Sequence, residues 1–180
     1  LLAGHRAARA AWKAVAPRTA IGMSLAIPDA QGDAQGIAAY RRHAEDPFFA
    51  VARDDDFVGV QTYGRLLFDS TRVLPPSATA ERTQSGDEFF PAALGNAVTH
   101  AHAATGKPVF VTENGIAATN DDQRARYIPA AIASLDTARA AGVPVIGYLH
   151  WSLLDNFEWR RGYTQQFGLF AVDRRSFRRT

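Results

Sequence analysis

The spacing of apolar and polar positions changes several times along these 180 residues, and each change marks an element. From 1 to 15, Leu1, Leu2, Ala8, Trp12 and Val15 fall on one face, which predicts a helix that Pro17 ends. Residues 19–27 are a strand candidate. Pro28, Asp29, Gly32 and Asp33 read as a loop, with Asp33 placed to cap a helix over about 34–43. The next strand is 57–63, entered from the acidic run Asp54-Asp55-Asp56, which reads as a solvated turn in preference to a metal site. Residues 64–89 are long and irregular around Pro75-Pro76, a length that a compact domain seldom carries unless the loop serves a site. Phe90-Pro91 opens a helix to about Thr105, and Gly106 ends it. Val109 to Val111 has the character of a strand buried on both faces, closing on Glu113 and the turn signal Asn114-Gly115. After a turn at 119–122, a helical stretch reaches Ala141, broken or kinked near Pro129, and 143–150 is the fourth strand.

This alternation of strand and helix, without internal repeats, predicts parallel βαβ units with right-handed crossovers. Two architectures fit it: a four-stranded doubly wound sheet, or about half of an eight-stranded barrel. No Gly-x-Gly-x-x-Gly or Gly-x-x-x-x-Gly-Lys follows any strand, which counts against a nucleotide site. Gly22-Met23-Ser24-Leu25-Ala26 falls short of a hydrolase nucleophile elbow, because the second glycine is Ala26 and the serine lies within the strand. His100 and His102, two apart on a helix, point away from each other and do not suit a shared metal.

Composition narrows the function further. A chain of 180 residues is one domain, burying roughly two-thirds to three-quarters of its unfolded surface. Net charge is +2, and the arginine excess gathers at Arg174, Arg175, Arg178 and Arg179, a tail feature that implies no nucleic-acid partner. With no cysteine there are no disulfides or thiolate metal sites, and no stretch approaches a membrane span. No cofactor or metal is expected. The first residues carry no signal-peptide layout and begin inside a helical pattern, so the chain reads as cut from something longer and cytoplasmic.

Two segments carry the chemistry. Glu113 sits where a parallel strand opens into its loop, the end that carries ligands in open α/β sheets and in barrels alike. Beyond the fourth strand, residues 147–159 hold two of the three tryptophans with Asp155, Asn156, Phe157 and Glu158. Aromatic faces cover the apolar C–H patches of a pyranose, while carboxylates accept hydrogen bonds from its hydroxyls. A loop folded over a hydrophobic rim is the plainer alternative.

Val111-Thr112-Glu113-Asn114-Gly115 and the segment from Tyr148 to Trp159 resemble the two hallmark motifs of glycoside hydrolase family 1, the β-glucosidases and their relatives. Further matches keep the family's order: Asp56-Phe57-Val58-Gly59-Val60 leading to Tyr63, Gly86 to Leu94, Gly162-Tyr163, and Phe167-Gly168-Leu169. The resemblance implies an α/β fold, a (β/α)8 TIM barrel of which residues 1–180 supply the C-terminal half, about four parallel strands with flanking helices. It implies retaining hydrolysis of a β-linked glycoside by the complete barrel. Glu113 matches the family's nucleophile and Tyr63 the tyrosine that hydrogen-bonds it. Glu158 and Trp159 match residues that bind the hydroxyls of the non-reducing sugar, and Trp151 with Phe167 match the aromatic wall.

Departures from the family pattern are equally specific. Asn-Glu-Pro, which holds the family's acid/base glutamate, does not occur, nor do the sugar-binding Gln and His of the first strands. Thr180 precedes the position of the family's last helix. Gln61 stands where Asn is usual, Asp87 where Trp is customary before Glu88, and Gln166 where Arg is common. On this reading the chain alone is inactive and associates with an N-terminal half-barrel or with itself. The alternative is a non-catalytic sugar-binding or pseudoenzyme half-barrel. Neither glycone nor aglycone is specified by these residues.

Overall fold

The computed structural model describes residues 1–180. The chain opens with α1 (Leu2–Val15), β1 (Gly22–Ala26) and β2 (Asp29–Gly32), followed by α2 (Ala34–Ala44) and α3 (Asp46–Ala52). Then come β3 (Phe57–Thr62), β4 (Arg65–Phe68), β5 (Val73–Leu74) and α4 (Ala93–Thr105). The last elements are β6 (Val109–Asn114), α5 (Asp121–Ala140) and β7 (Val145–His150), and a 3-10 turn follows at Trp159–Arg161. The main sheet is four-stranded in the order β1-β3-β6-β7, with every pair parallel. No helix is long and apolar enough to cross a membrane.

One face of the sheet carries the core. Val58, Val60, Val109 and Val111 are fully buried against Leu94, Ala97, Val98 and Ala101 of α4 and Tyr127, Ala131 and Leu135 of α5. Small residues let the two helices approach closely: a Cβ at Gly95 would overlap the Ser134 backbone. On the opposite face the 180 residues provide no covering layer, and there Ile146 and Leu149 remain 58% and 53% exposed. Phe57 and Phe110 meet edge to face on this side, at 6.0 Å between ring centroids. The expectation that Val109 to Val111 is buried on both faces therefore holds only for the two valines.

The punctuation read from sequence largely matches. Asp33 accepts from the backbone N–H groups of Gln35 and Gly36 at 2.9 and 3.0 Å and caps α2. Gly106 ends α4 in the left-handed region at φ 72°, a conformation that costs a residue without a Cβ little. Pro129 does not break its helix. It lies on the exposed side of α5, as does Ala125, so the carbonyl that loses its partner faces water and the helix continues unbroken.

Further expectations need correction, among them the loop at Pro28 to Asp33, where β2 lies. The helix α3 is additional to those expected, although Asp46-Pro47 is a helix start with proline in the first turn. Residues 64–89 are not structureless, because β4 and β5 lie there and join β2 in a second, three-stranded sheet. That sheet prolongs the β1–β3 pairing past Pro28 and Gly64: Gly22 faces Phe57, and beyond the bend Asp29 faces Arg65. The acidic run is a turn with Asp54 and Asp56 exposed, as expected, but its middle carboxylate is not solvated. Asp55 is fully buried, accepting from His5 Nε2 at 2.8 Å and Met23 N–H at 3.1 Å beside Arg9, while Asp56 meets Lys13 and the Ile21 N–H, each at 2.8 Å. Together they fasten α1, which buries no residue of its own, to the edge of the sheet.

Candidate active site

The site forms where β3 and β6 end. Along β3 the side chains of Val58, Val60 and Thr62 turn to the helices, so Gly59 and Gln61 face the other side. Gly59 leaves room there for Ser24 and Thr112 to meet across it, their hydroxyls 2.6 Å apart. Ser24 is thus a strand residue held by Thr112, as its position within the strand implied.

β6 does not keep strict alternation. Val60 pairs with Val111, but Gln61 pairs with Glu113, leaving Thr112 as the extra residue of a β-bulge. Thr112 and Glu113 consequently face the same side, and Asn114 turns to the helices. This one-residue slip carries the Glu113 carboxylate to Gln61 and Tyr63. Gln61 Nε2 donates to Glu113 Oε1 at 2.8 Å, and the Tyr63 hydroxyl donates to Oε2 at 2.6 Å. Burial, reinforced by the hydrogen bond to Glu113, pushes the Tyr63 phenol far above the ordinary tyrosine range, so it stays a donor.

Phe167 closes on Tyr63 edge to face at 5.6 Å. The backbone of Trp151 donates to the Asn114 carbonyl at 2.9 Å, and a Cβ on Gly115 would overlap the Trp151 carbonyl, so this glycine permits the approach. The Trp151 indole Nε1 donates to Glu158 Oε1 at 3.1 Å. Asp155 accepts from the Gly168 N–H at 2.9 Å, tying the aromatic loop to the segment that bears Phe167. Trp159 is 86% exposed beyond this cluster. Glu113, Tyr63 and Phe167 therefore form one group, Trp151 and Glu158 a second beside it, and Trp159 stands at the rim.

Sequence reasoning did not identify Gln61 as a partner of Glu113, although its position near the tip of the strand before Tyr63 was a usable signal. Two other carboxylates near these segments, Glu88 and Asp155, are engaged. Glu88 receives a two-pronged ion pair from Arg65 at 2.7 and 2.9 Å, whose hydrogen bonds hold it below the ordinary glutamate range. His100 bonds Glu45 and His102 bonds the Lys107 carbonyl, in separate directions as expected. No group of three or more possible ligands is placed to hold a metal.

The sequence model of glycosyl hydrolase family 1 matches residues 51–180. A beta-galactosidase of Pyrococcus woesei is 36% identical over 141 residues, covering 77% of this chain and 27% of that protein. The crystal structure of beta-glycosidase BGL167 is 42% identical with a TM-score of 0.93, over 99% of this chain and 44% of that one. An apo structure of a beta-glucosidase is 36% identical with a TM-score of 0.91, over 98% of this chain and 44% of that one. The chain spans less than half the length of these relatives. Its four parallel strands and flanking helices are the C-terminal half of a (β/α)8 barrel.

Proposed function

From a chain that belongs to glycosyl hydrolase family 1, we propose that Glu113 is the nucleophile of a retaining β-glycosidase of which residues 1–180 are part of the catalytic domain. The observation that carries this is the Glu113 carboxylate, held at the strand tip between the Gln61 amide and the Tyr63 phenol at 2.8 and 2.6 Å. Two donors on one carboxylate orient its attacking oxygen before a sugar arrives. Attack on the anomeric carbon forms a glycosyl ester on Glu113 and expels the leaving oxygen, which takes a proton from a second carboxyl group about 5–5.5 Å away. Water then cleaves the ester.

That second carboxyl group comes from outside these residues. An acid for this step needs a raised pKa, whereas Glu88 is held low by Arg65 and Asp155 is spent on the Gly168 N–H. An N-terminal half-barrel supplies it and covers the sheet face where Ile146 and Leu149 are exposed. On the sugar side, Glu158 accepts from glycone hydroxyls, Trp151 and Phe167 form the apolar wall, and Trp159 offers its indole N–H to a glycone hydroxyl at the rim.

The test is covalent trapping. A 2-deoxy-2-fluoro glycoside with a good leaving group, incubated with the complete enzyme, leaves a slowly hydrolysed ester on Glu113, read by mass spectrometry of the peptide. An ester on Glu88 or Asp155 removes Glu113 from the role, and binding without any ester favours a sugar-binding module.

A further inference from the structure

Behind Glu113 lies a buried polar chain that none of the chemistry above uses. Asn114 is fully buried. Its Nδ2 donates to the Thr62 carbonyl at 2.8 Å and to the Tyr127 hydroxyl at 3.1 Å, and its Oδ1 accepts from the Tyr148 hydroxyl at 3.2 Å. The Tyr127 hydroxyl donates to the Tyr63 carbonyl at 3.4 Å, and Tyr148 Oη lies 3.2 Å from His150 Nδ1.

The direction of every proton in this chain follows from one group. A backbone carbonyl can only accept, so the Asn114 atom facing Thr62 O is the amide nitrogen, and the atom facing Tyr148 is its oxygen. Tyr148 must therefore spend its single proton on Asn114. Its oxygen is left to accept, and the imidazole atom beside it must carry a hydrogen. His150 Nε2 is then the bare nitrogen, and it is buried with no protein partner. A second proton there would be an unpaired cation beside Arg124. Burial, with Arg124 adding to it, accordingly pushes His150 below the ordinary imidazole range.

We propose that His150 is a positioning residue for the nucleophile, fixed as its Nδ1–H tautomer and heading a one-way hydrogen-bond chain through Tyr148, Asn114 and Tyr127 to the carbonyls of Thr62 and Tyr63. The chain joins the tips of β7, β6 and β3 through α5. It ends on the backbone of the residue whose phenol holds Glu113, so it sets the distance from that phenol to the carboxylate. This proposal rests on the reading of Glu113 as nucleophile for its kinetic consequence, and on geometry alone for the tautomer.

The tautomer is tested directly by long-range 1H–15N spectra of the full chain labelled at histidine. His150 shows a protonated Nδ1 and an unprotonated Nε2, and Tyr148→Phe releases it to the ordinary Nε2–H form. A wild-type Nε2–H form, a mixture, or a tautomer indifferent to Tyr148→Phe overturns the proposal. In the complete enzyme, His150→Asn keeps an N–H near the Nδ1 position and His150→Gln moves it towards Nε2. The Asn variant retains kcat within about twofold, while the Gln variant loses about tenfold, the worth of one hydrogen bond, at unchanged KM. Equal losses in both, or a loss confined to KM, also overturn it. If the variants do not fold, the wild-type tautomer decides. Trapping of the sugar on another residue refutes the nucleophile assignment and leaves the tautomer result standing.

Discussion

Thr112 and Glu113 are adjacent in the chain and present their side chains to the same face of the sheet, the one meeting Ser24 and the other Gln61 and Tyr63. Without the bulge between them, Glu113 would point at the helices and Asn114 at the opposite face. The bulge therefore decides which of two neighbouring polar side chains reaches Gln61 and Tyr63.

Tyr63→Phe removes the phenol from Glu113 while keeping its ring against Phe167. A hydrogen bond to a charged group is worth about 1.5–3 kcal/mol, so kcat of the complete enzyme falls about ten- to a hundredfold. Steady-state kinetics on an aryl β-glycoside measure it. A rate within twofold of the parent would show that the carboxylate does not depend on this donor.

Glu158→Gln retains an oxygen for the Trp151 indole and loses the charge that the proposed glycone site would offer to sugar hydroxyls. kcat/KM falls about ten- to a hundredfold on the same energetic scale. Unchanged kinetics on a gluco-configured substrate would place Glu158 outside the glycone site.

Asp55→Ala orphans the Met23 N–H and removes the acceptor of His5 and Arg9. The cost is about 2–4 kcal/mol, between that of an unpaired buried donor and that of a broken buried ion pair. A lowered urea midpoint, with faster proteolysis between α1 and β1, is the expected readout. An unaltered midpoint would mean that α1 is held by other contacts.

Alkaline stability depends on Tyr127. Burial pushes its hydroxyl from 10.0 to about 12, so the folded state keeps a proton that the unfolded chain gives up. This contribution is complete below pH 10.0 and lost as pH rises towards about 12, by about 1.4 kcal/mol per unit. Tyr127→Phe, though less stable at neutral pH, shows a shallower loss over that window in denaturant titrations. Parallel slopes in the two proteins would contradict the assignment.

The sheet face bearing Ile146 and Leu149, with β1 and β7 as its open edges, predicts association of the 180-residue chain. Light scattering should find it larger than a monomer, and an N-terminal half-barrel added in trans should compete for that face and restore turnover. A monomer that folds cooperatively and hydrolyses cellobiose unaided would overturn the assignment of the missing carboxyl group.

Local chemistry makes much of this protein legible in its sequence. The alternation of strand and helix, the Asp33 cap, the Gly106 stop and a strand carrying Glu113 near its tip depend on residues close together in the chain, and all four appear in the fold, although that strand runs one residue further, to Asn114. The expectations that failed depended on distant partners. β2, Asp-Ala-Gln-Gly, has no strand-forming side chains and exists because its neighbour continues beside it. Asp55 and Asp56 look solvated until α1 supplies His5 and Arg9 to the one and Lys13 to the other. The site divides in the same way. Glu113 and Tyr63 could be named from motifs, but a bulge is a mismatch between two strands and cannot be seen in either alone. Gln61 beside the carboxylate follows from that mismatch, and Tyr148 and His150 behind Asn114 follow from the register shifts between β6 and β7. Sequence determined which groups the site could draw on, and the pairing of β6 with its two neighbours decided which of them gather around Glu113 and which stand behind it.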